Sequence, residues 1–316
     1  MDRSEIRKDY FKDQYVIIAP NRAKRPQSIA KQVREKEKLC FFCPENLDMT
    51  NVTYRDDDKK GNWEIISIVN KYPAVSLDNP RAYGQAEVII ETRDHGLDIN
   101  DLSIADIARV FDAYVNRYEA LVKTSGIKHV VIFKNEGGKA GASIAHTHSQ
   151  VIALPLLPPK VEEEAEAYGK YYLQNNSCPF CDIIKKEVDG SRVIWEDDNL
   201  FVLAPYASDS PYGAWFIPKR HIRTISYLSQ SEKESFAKAM KLVLGKLNEF
   251  GISYNYFVEN AVSSVDYHMH IKLSPRPNIW AGLELGTGII INPVAPERAA
   301  EIYRDKGDIK NDPRFS

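Results

Sequence analysis

Residues 146–150 read HTHSQ, and a shorter copy of the same pattern, HMH, stands at residues 268–270. Each copy is preceded by one CxxC pair, CFFC at 40–43 and CPFC at 178–181, and then by one further histidine. Six of the seven histidines and all four cysteines therefore follow one order that occurs twice, and only His129 lies outside it. Because scattered reactive residues have no reason to keep one order twice, the pattern predicts a duplicated unit.

The repeat extends beyond the cysteines and histidines. His95 lies seven positions before Leu102, and His221 lies seven positions before Leu228. After each leucine, a serine and an acid three residues later form a helix-start signal, and apolar residues then recur at spacings of three and four. Each half is therefore predicted to contain one long helix with a buried face.

A glycine ends each predicted helix, and a buried strand follows it. Gly126 stands nine positions before Asn135, and Gly251 stands nine positions before Asn260. The residues between them are rich in β-branched and aromatic side chains, which are typical of strands. The fold is therefore predicted to be α+β, with the same unit written twice.

The boundary between the two halves is predicted at a proline-rich segment, residues 155–159, which cannot continue a strand. This divides the chain into an N-terminal repeat, 1–159, and a C-terminal repeat, 160–316. The acidic stretch at 161–172 is expected to form a solvated helix. We expect the halves to pack as one pseudo-dimeric body, because each copy must cover the other's open sheet.

Composition agrees with two domains and excludes some partners. A chain of 316 residues with 43% hydrophobic residues can bury large cores. The formal net charge of −2 gives no electrostatic reason to expect a nucleic acid polymer or an anionic membrane. No apolar run approaches the roughly 20 residues that span a bilayer, and the charged start does not resemble a signal peptide. We therefore expect a cytoplasmic protein, in which paired cysteines indicate metal more than disulfides.

The cysteines and histidines supply two closed sets of zinc ligands, so about two structural zinc ions per chain are predicted. Zinc favours four thiolate or imidazole ligands in a tetrahedron, and a closed set leaves no position for a catalytic water. The alternatives, an ordinary buried cysteine pair or a redox CxxC, do not explain the two histidines that accompany each pair. The predicted sets are Cys40, Cys43, His95 and His146, and Cys178, Cys181, His221 and His268.

The second histidine of HTHSQ is left free by this assignment. Residues two apart in a strand share a face, so a metal-held His146 would aim His148. The preceding segment, residues 135–143, carries three glycines, including Gly141, whose backbone amides can approach an anion closely. The alternative is a core or solvated histidine. The combination predicts a nucleotide phosphate site with His148 as a neutral imidazole nucleophile.

At this point the sequence resembles the galactose-1-phosphate uridylyltransferase branch of the histidine-triad superfamily, including its ADP-glucose phosphorylase-like relatives. The similar motifs include RAKRP at 22–26, the CxxCPxN motif at 40–46, the N-x5-G-x-S-x2-HxHxQ motif at 135–150 and PKRH at 218–221. The resemblance implies two histidine-triad-like repeats, each a mainly antiparallel sheet with helices. It also implies a homodimer that acts on nucleotide sugars and on sugar 1-phosphates or phosphate.

The resemblance also implies roles for individual residues. It makes His148 the residue that carries the nucleotidyl group in ping-pong catalysis, with Gln150 and Ser143 stabilising the phosphoryl oxygens. Glu284 lies in the segment expected to contact the sugar. The remaining substrate contacts that the resemblance implies are Arg22, Arg25, Asn70, Asn135 and Gly141.

The sequence leaves the base and the acceptor open. A uridylyltransferase acting on UDP-glucose and galactose 1-phosphate is the first interpretation. Thr147, Ser149 and the segment at 282–293 depart from the classical uridylyltransferases. The second CxxC, the GASxxHxHSQ motif at 141–150 and the ALPxxPP motif at 153–159 are closer to the ADP-glucose phosphorylases. A histidine-triad hydrolase would carry a further histidine in place of Gln150. A non-catalytic, zinc-stabilised nucleotide binder is the other alternative. His270 lacks a preceding glycine loop, so we interpret it as structural.

Overall fold

The computed structural model describes residues 4–24, 39–261 and 266–304. The predicted substrate contact Arg25 lies outside these described residues. The strands are β1 (Glu5–Lys8), β2 (Tyr15–Ile18), β3 (Val52–Asp57), β4 (Trp63–Val69), β5 (Gln85–Ile90), β6 (His129–Glu136), β7 (His148–Leu154), β8 (Val193–Glu196), β9 (Leu200–Leu203), β10 (Ala214–Pro218), β11 (Tyr254–Glu259), β12 (His270–Pro275) and β13 (Ile290–Asn292). The helices are α1 (Ile104–Val122), α2 (Pro159–Asn175), α3 (Pro179–Glu187), α4 (Gln230–Glu249), α5 (Gly282–Thr287) and α6 (Pro296–Tyr303).

Ten strands form one antiparallel sheet in the order β3-β4-β5-β7-β6-β11-β12-β10-β9-β8. Counted from the two outer edges inwards, the strand order is the same in both halves, so β7 corresponds to β12 and β6 to β11. Helix α1 follows β5, and α4 follows the corresponding strand β10. The predicted α+β duplication with antiparallel sheets is confirmed.

The two halves meet edge to edge at β6 and β11. Phe133 lies opposite Phe257 across this seam, and Asn135 lies opposite Asn255. The expectation that each copy covers the other's open sheet was therefore wrong in its geometry, because the halves share one sheet instead of stacking two. Edge pairing satisfies the N–H and C=O groups that an open strand edge would expose. The division of the chain at residue 159 stays a prediction.

The long helices of the two halves pack against each other. Ser103 caps the start of α1, and Ser229 with Glu232 forms a capping box on α4, as the sequence predicted. The rings of Phe111 and Phe236 lie 5.3 Å apart, and both side chains are buried in one core that extends through both halves. Burying each ring contributes about 1.5–3 kcal/mol. None of the helices within the described ranges is long and apolar enough to cross a membrane.

Residues 161–172 lie in α2, so the predicted helix is confirmed, but it is not solvated along its whole length. Glu164 and Tyr168 are buried. The Glu164 carboxylate forms ion pairs with the ammonium groups of Lys12 and Lys272. A buried carboxylate is costly without such partners, so the acid at this position belongs to the packed interior of the second half.

A second sheet of three strands joins the start of the described chain to its end. β2 pairs antiparallel with β1 and parallel with β13. Just beyond β2, the amide of Ala19 donates to the carbonyl of Asn292 at 2.8 Å. This pairing brings the turn that carries Arg22 close to the segment around α5.

Candidate active site and metal centres

The first predicted zinc set comes together as four ligand atoms from three parts of the fold. Cys40 and Cys43 lie in the turns before β3, His95 follows β5, and His146 stands two residues before β7. Their ligand atoms all lie within 4.8 Å of one another. Cys43 Sγ lies 3.5 Å from His95 Nδ1 and 3.8 Å from His146 Nδ1, and Cys40 Sγ lies 3.7 Å from His146 Nδ1.

The second set repeats this geometry in the other half. Cys178 caps the start of α3, and Cys181 lies in its first turn. Cys181 Sγ lies 3.5 Å from Nδ1 of both His221 and His268, and Cys178 Sγ lies 3.7 Å from His268 Nδ1. A tetrahedral zinc with bonds of about 2.3 Å to sulfur and about 2.0–2.1 Å to nitrogen separates these ligands by about 3.6 Å. Both sets therefore have the spacing that could hold such a metal.

One histidine in each set is oriented by a backbone carbonyl. His146 Nε2 donates to the carbonyl of Thr92 at 2.8 Å, and His268 Nε2 donates to that of Pro218 at 2.9 Å. A carbonyl can only accept, so each Nδ1 keeps its lone pair directed at the cysteine sulfurs. Metal-binding histidines are usually held by such a bond from their other nitrogen.

His148 is the first residue of β7, and its orientation is fixed by the preceding histidine. Its Nδ1 donates to the carbonyl oxygen of His146 at 2.8 Å, so Nε2 is the nitrogen with a free lone pair. The ring is 7% exposed and meets the Phe42 ring edge-on at 5.1 Å. Burial, assisted by the nearby Lys134 ammonium, lowers the pKa of His148, which favours the neutral imidazole. The alternation along β7 places Gln150 on the same face.

The glycine-rich segment forms a tight turn held by the second half of the chain. It contains a 3-10 turn at Gly138–Ala140, and Gly141 after it has a φ of +87°. A Cβ at Gly137 would overlap the Ser253 hydroxyl, so this position requires glycine. Ser143 is exposed beyond the turn.

Asn255 of β11 anchors this turn. Its Nδ2 donates to Asn135 Oδ1 at 2.7 Å and to the Ala140 carbonyl at 2.9 Å. Its Oδ1 accepts from Arg276 Nε at 2.7 Å. The predicted phosphate loop of the first half is therefore built partly from residues of the second.

Two other predicted contacts lie together in a separate cavity of about 360 Å³. Arg22 and Glu284 line it together with Arg276 and Trp280. Glu284 also caps α5, because its Oε2 accepts from the amide of Ala281 at 2.9 Å. Arg276 links this cavity to the glycine turn through Asn255, as described above.

Asn70 directly follows β4 and is far in sequence from both the glycine-rich turn and the cavity lined by Arg22 and Glu284. Its Oδ1 accepts from the amide of Tyr72 at 2.9 Å. The Lys71 ammonium lies 5.8 Å from the ring of the exposed Phe41 and 5.9 Å from that of Tyr72. Because Phe41 belongs to the CFFC motif, this contact places Asn70 in the neighbourhood of the first zinc set.

His270 has the same local geometry as His148 but is completely enclosed. Its Nδ1 donates to the carbonyl of His268 at 2.9 Å, while Nε2 is buried without a hydrogen bond. The Phe180 ring lies 4.1 Å away, and Glu164 Oε1 lies 3.8 Å from Nε2. Burial lowers the pKa of His270 to about 3. This enclosure agrees with the interpretation of His270 as structural.

Sequence reasoning missed a buried polar cluster behind β7, whose central members are Glu91 and Lys134. Thr147 and Ser149 were the sequence signal that could have revealed this cluster. They alternate with the histidines, so their hydroxyls had to point to the opposite, buried face and find partners there.

A free imidazole nitrogen, aimed by the histidine before it and preceded along the chain by a glycine-rich turn, is what an enzyme needs to carry a nucleotidyl group on histidine. The chain belongs to the galactose-1-phosphate uridyl transferase family, because the family model for the N-terminal domain matches residues 1–158. The expected family and the expected enzyme class, a nucleotidyltransferase, are thereby confirmed.

The relatives cover nearly the whole chain. The chain is 29% identical to a galactose-1-phosphate uridylyltransferase of Thermotoga maritima, over 95% of this chain and 98% of the relative. It is 30% identical to an ADP-glucose phosphorylase of Arabidopsis thaliana, over 95% of this chain and 92% of the relative. Among solved structures, an Arabidopsis ADP-glucose phosphorylase with bound ADP-glucose superposes with a TM-score of 0.85 at 29% identity, covering 96% of this chain and 98% of the other.

Proposed function

We propose that this enzyme moves a nucleoside monophosphate from a nucleotide sugar to a second phosphate compound through a covalent nucleotidyl-His148. One observation carries this proposal. The bond from His148 Nδ1 to the His146 carbonyl leaves Nε2 with a free lone pair, and burial lowers the pKa of His148, which favours the neutral ring. Such a nitrogen is a competent nucleophile without a separate base.

In the first half-reaction, His148 Nε2 attacks the α-phosphorus of a nucleoside diphosphate sugar. The new N–P bond forms as the bond from the α-phosphorus to the bridging oxygen breaks, and a sugar 1-phosphate leaves with that oxygen. Because a phosphate monoester has a second pKa of about 6, the leaving group requires no strong general acid. In the second half-reaction, an incoming sugar 1-phosphate or phosphate attacks the same phosphorus and releases His148.

Other predicted residues support these steps. Gln150, Ser143 and the amides around Gly141 stabilise the phosphoryl oxygens, where charge concentrates during transfer. Substrate contacts are assigned to Arg22, Arg25, Asn70, Asn135 and Glu284.

The two Cys2His2 sets are proposed to hold two zinc ions. The donor atoms fit zinc, since thiolate and imidazole at tetrahedral spacing are its preferred ligands. Bound zinc supplies structural cross-links at closed sites and takes no part in the bond changes. Holding His146 also holds the carbonyl that orients His148.

We assign uridine as the first candidate base, with UDP-glucose and galactose 1-phosphate as the pair of substrates. The ADP-sugar phosphorylase reaction, which uses the same intermediate, is the second candidate, favoured by the close superposition on an ADP-glucose phosphorylase. The family resemblance also supports a cytoplasmic homodimer.

The test is intact-mass analysis of the protein after incubation with UDP-glucose or ADP-glucose alone. We expect a gain of one nucleoside monophosphate with one of the two, through an acid-labile and base-stable bond, and no gain in the His148→Asn variant. Release of free nucleoside monophosphate without an acceptor would identify a hydrolase. Binding without an adduct or turnover would identify a nucleotide binder, and either result would reject transfer to a phosphate acceptor.

A further inference from the structure

β7, which begins with the proposed nucleophile His148 and is called here the nucleophile strand, has a polar back face. The chemistry described above does not use this face. Thr147 and Ser149 point away from the face that carries His148, and their side chains are buried. Glu91, directly after β5, accepts from both hydroxyls: Thr147 Oγ1 donates to Oε2 at 2.7 Å, and Ser149 Oγ donates to Oε1.

Lys134 of β6 completes this cluster from the neighbouring strand. Its ammonium group donates to Glu91 Oε2 at 2.7 Å and to Thr147 Oγ1 at 2.6 Å. It also donates to the backbone carbonyl of His148 at 3.3 Å. The Lys134 side chain is 0% exposed, so these bonds cannot be replaced by bulk water.

The cluster continues across the seam between the halves. Tyr114 OH donates to Glu91 Oε1 at 3.0 Å and lies 2.6 Å from Tyr256 OH. Tyr256 lies in β11, so the back face of the nucleophile strand is connected by hydrogen bonds to the second half.

The duplication supplies an internal comparison, because the second half has no such cluster at the matching positions. Met269 stands between His268 and His270 where Thr147 stands between His146 and His148, and Ile271 corresponds to Ser149. The residue that matches Lys134 is identified from the strand register. Lys134 pairs with Ser149, and Val258 pairs with Ile271. All three matching residues are apolar and buried.

This difference between the halves indicates whether the polar cluster serves the stability of the fold or the reaction. Replacing a buried ion pair by apolar residues is often neutral or stabilising. The second half brings Cys2His2 ligands to the same spacing as the first with Met269, Ile271 and Val258 behind its strand. A polar cluster is therefore not required to assemble a metal set on this fold, and its presence only behind His148 points to the reaction.

We propose that Lys134 is a positioning residue for His148. It donates a hydrogen bond to the His148 carbonyl and fixes the preceding peptide through its bonds to Thr147 and Glu91. These bonds keep His148 Nε2 aligned for attack on the α-phosphorus. This inference rests on the proposed function of His148 as nucleophile.

Two charge-neutral double variants test the proposal. Lys134→Gln with Glu91→Gln retains hydrogen-bonding groups, whereas Lys134→Met with Glu91→Leu removes them. Both pairs remove the same charges, so their comparison isolates the hydrogen bonds. Readouts are zinc content, thermal unfolding, KM for the nucleotide sugar and the single-turnover rate of adduct formation.

We expect the apolar pair to bind zinc and substrate normally but to form the adduct about 100-fold more slowly, as for a misplacement of about 1 Å. The glutamine pair should stay within about threefold of wild type, because its bonds persist. Ile271→Val, at the matching position of the second half, is the control and should not change the adduct rate.

An apolar pair with the wild-type adduct rate would overturn the role of Lys134, and so would equal losses in both pairs, which would indicate charge instead of position. Should the apolar pair fail to fold, Thr147→Val decides the question: a loss of about tenfold in adduct rate supports the proposal, and no loss rejects it. A wild-type protein that never forms the adduct would instead refute the proposed function itself.

Discussion

Matched cysteine substitutions in the two halves should separate the chemical role of the first metal set from the structural role of both. Cys40→Ser and Cys178→Ser each remove one thiolate from equivalent positions of the repeat. Serine is almost isosteric with cysteine, and it remains a good N-cap for α3, whose first residues Cys178 caps. The two changes therefore remove metal affinity with little loss of packing.

The expected magnitudes differ between stability and rate. Structural zinc sites contribute about 10–16 kcal/mol of apparent binding energy, so one of four ligands accounts for about 3 kcal/mol. At about 1.5 °C per kcal/mol for a chain of 316 residues, either variant should lower the unfolding temperature by about 4–5 °C. Only Cys40→Ser should also slow adduct formation, by about 100-fold, because His146 of that set supplies the carbonyl that orients His148.

The assay combines three measurements on the same preparations. Elemental analysis should give about two zinc ions for wild type and fewer for each variant, because the altered site binds zinc more weakly. Calorimetry gives the unfolding temperature, and quenched-flow mass analysis gives the rate of adduct formation. Wild-type protein with fewer than one bound metal would refute the zinc assignment. Equal rates in the two variants would refute the argument that the first set aims His148.

Three further predictions follow from individual residues. His148→Gly should lose transfer by several orders of magnitude while keeping its zinc, and added imidazole should partly restore turnover. Glu284→Ala should weaken sugar discrimination without preventing adduct formation. Glu284→Gln, which keeps an acceptor for the Ala281 amide, is the control for helix capping. A parallel fall in adduct formation and sugar turnover would reject Glu284 as a sugar contact. Glu164→Gln should lower the free energy of unfolding by about 3 kcal/mol, because Lys12 and Lys272 lose the carboxylate that they share, yet leave one adduct per chain. Urea unfolding with intact-mass analysis checks both, and an unchanged stability would contradict the ion-pair assignment.

The elements were predictable because their signals are local. Capping serines, helical spacing and the terminating glycines located α1 and α4, and these features depend only on nearby residues. How the halves join was not predictable, because pairing of β6 with β11 depends on register between segments more than 100 positions apart. The burial of Glu164 was missed for the same reason, since its partners Lys12 and Lys272 are distant in sequence.

The same distinction between local sequence signals and contacts of distant segments applies to the candidate site. Both metal sets were predictable because CxxC and HxH spacings fix ligands to a turn and to one strand face. The polar cluster behind His148 was not predictable, because Glu91 and Lys134 come together only when β5, β6 and β7 lie side by side. The link from Arg276 through Asn255 to the glycine turn also crosses between halves, and the sequence shows no sign of it.

A comparison of the two halves supports a single nucleophile, the proposed His148. His148 and His270 make the same bond to the preceding histidine, at 2.8 and 2.9 Å, so tautomer and ring direction belong to the duplicated scaffold. What differs is the surroundings: His270 lies against the tilted ring of Phe180 and faces the Glu164 carboxylate, while His148 meets the edge of the Phe42 ring. His270 is fully buried, whereas His148 keeps 7% of its surface exposed. The two halves therefore differ in access to the second histidine and in what surrounds its ring, and not in the histidine pair that both share.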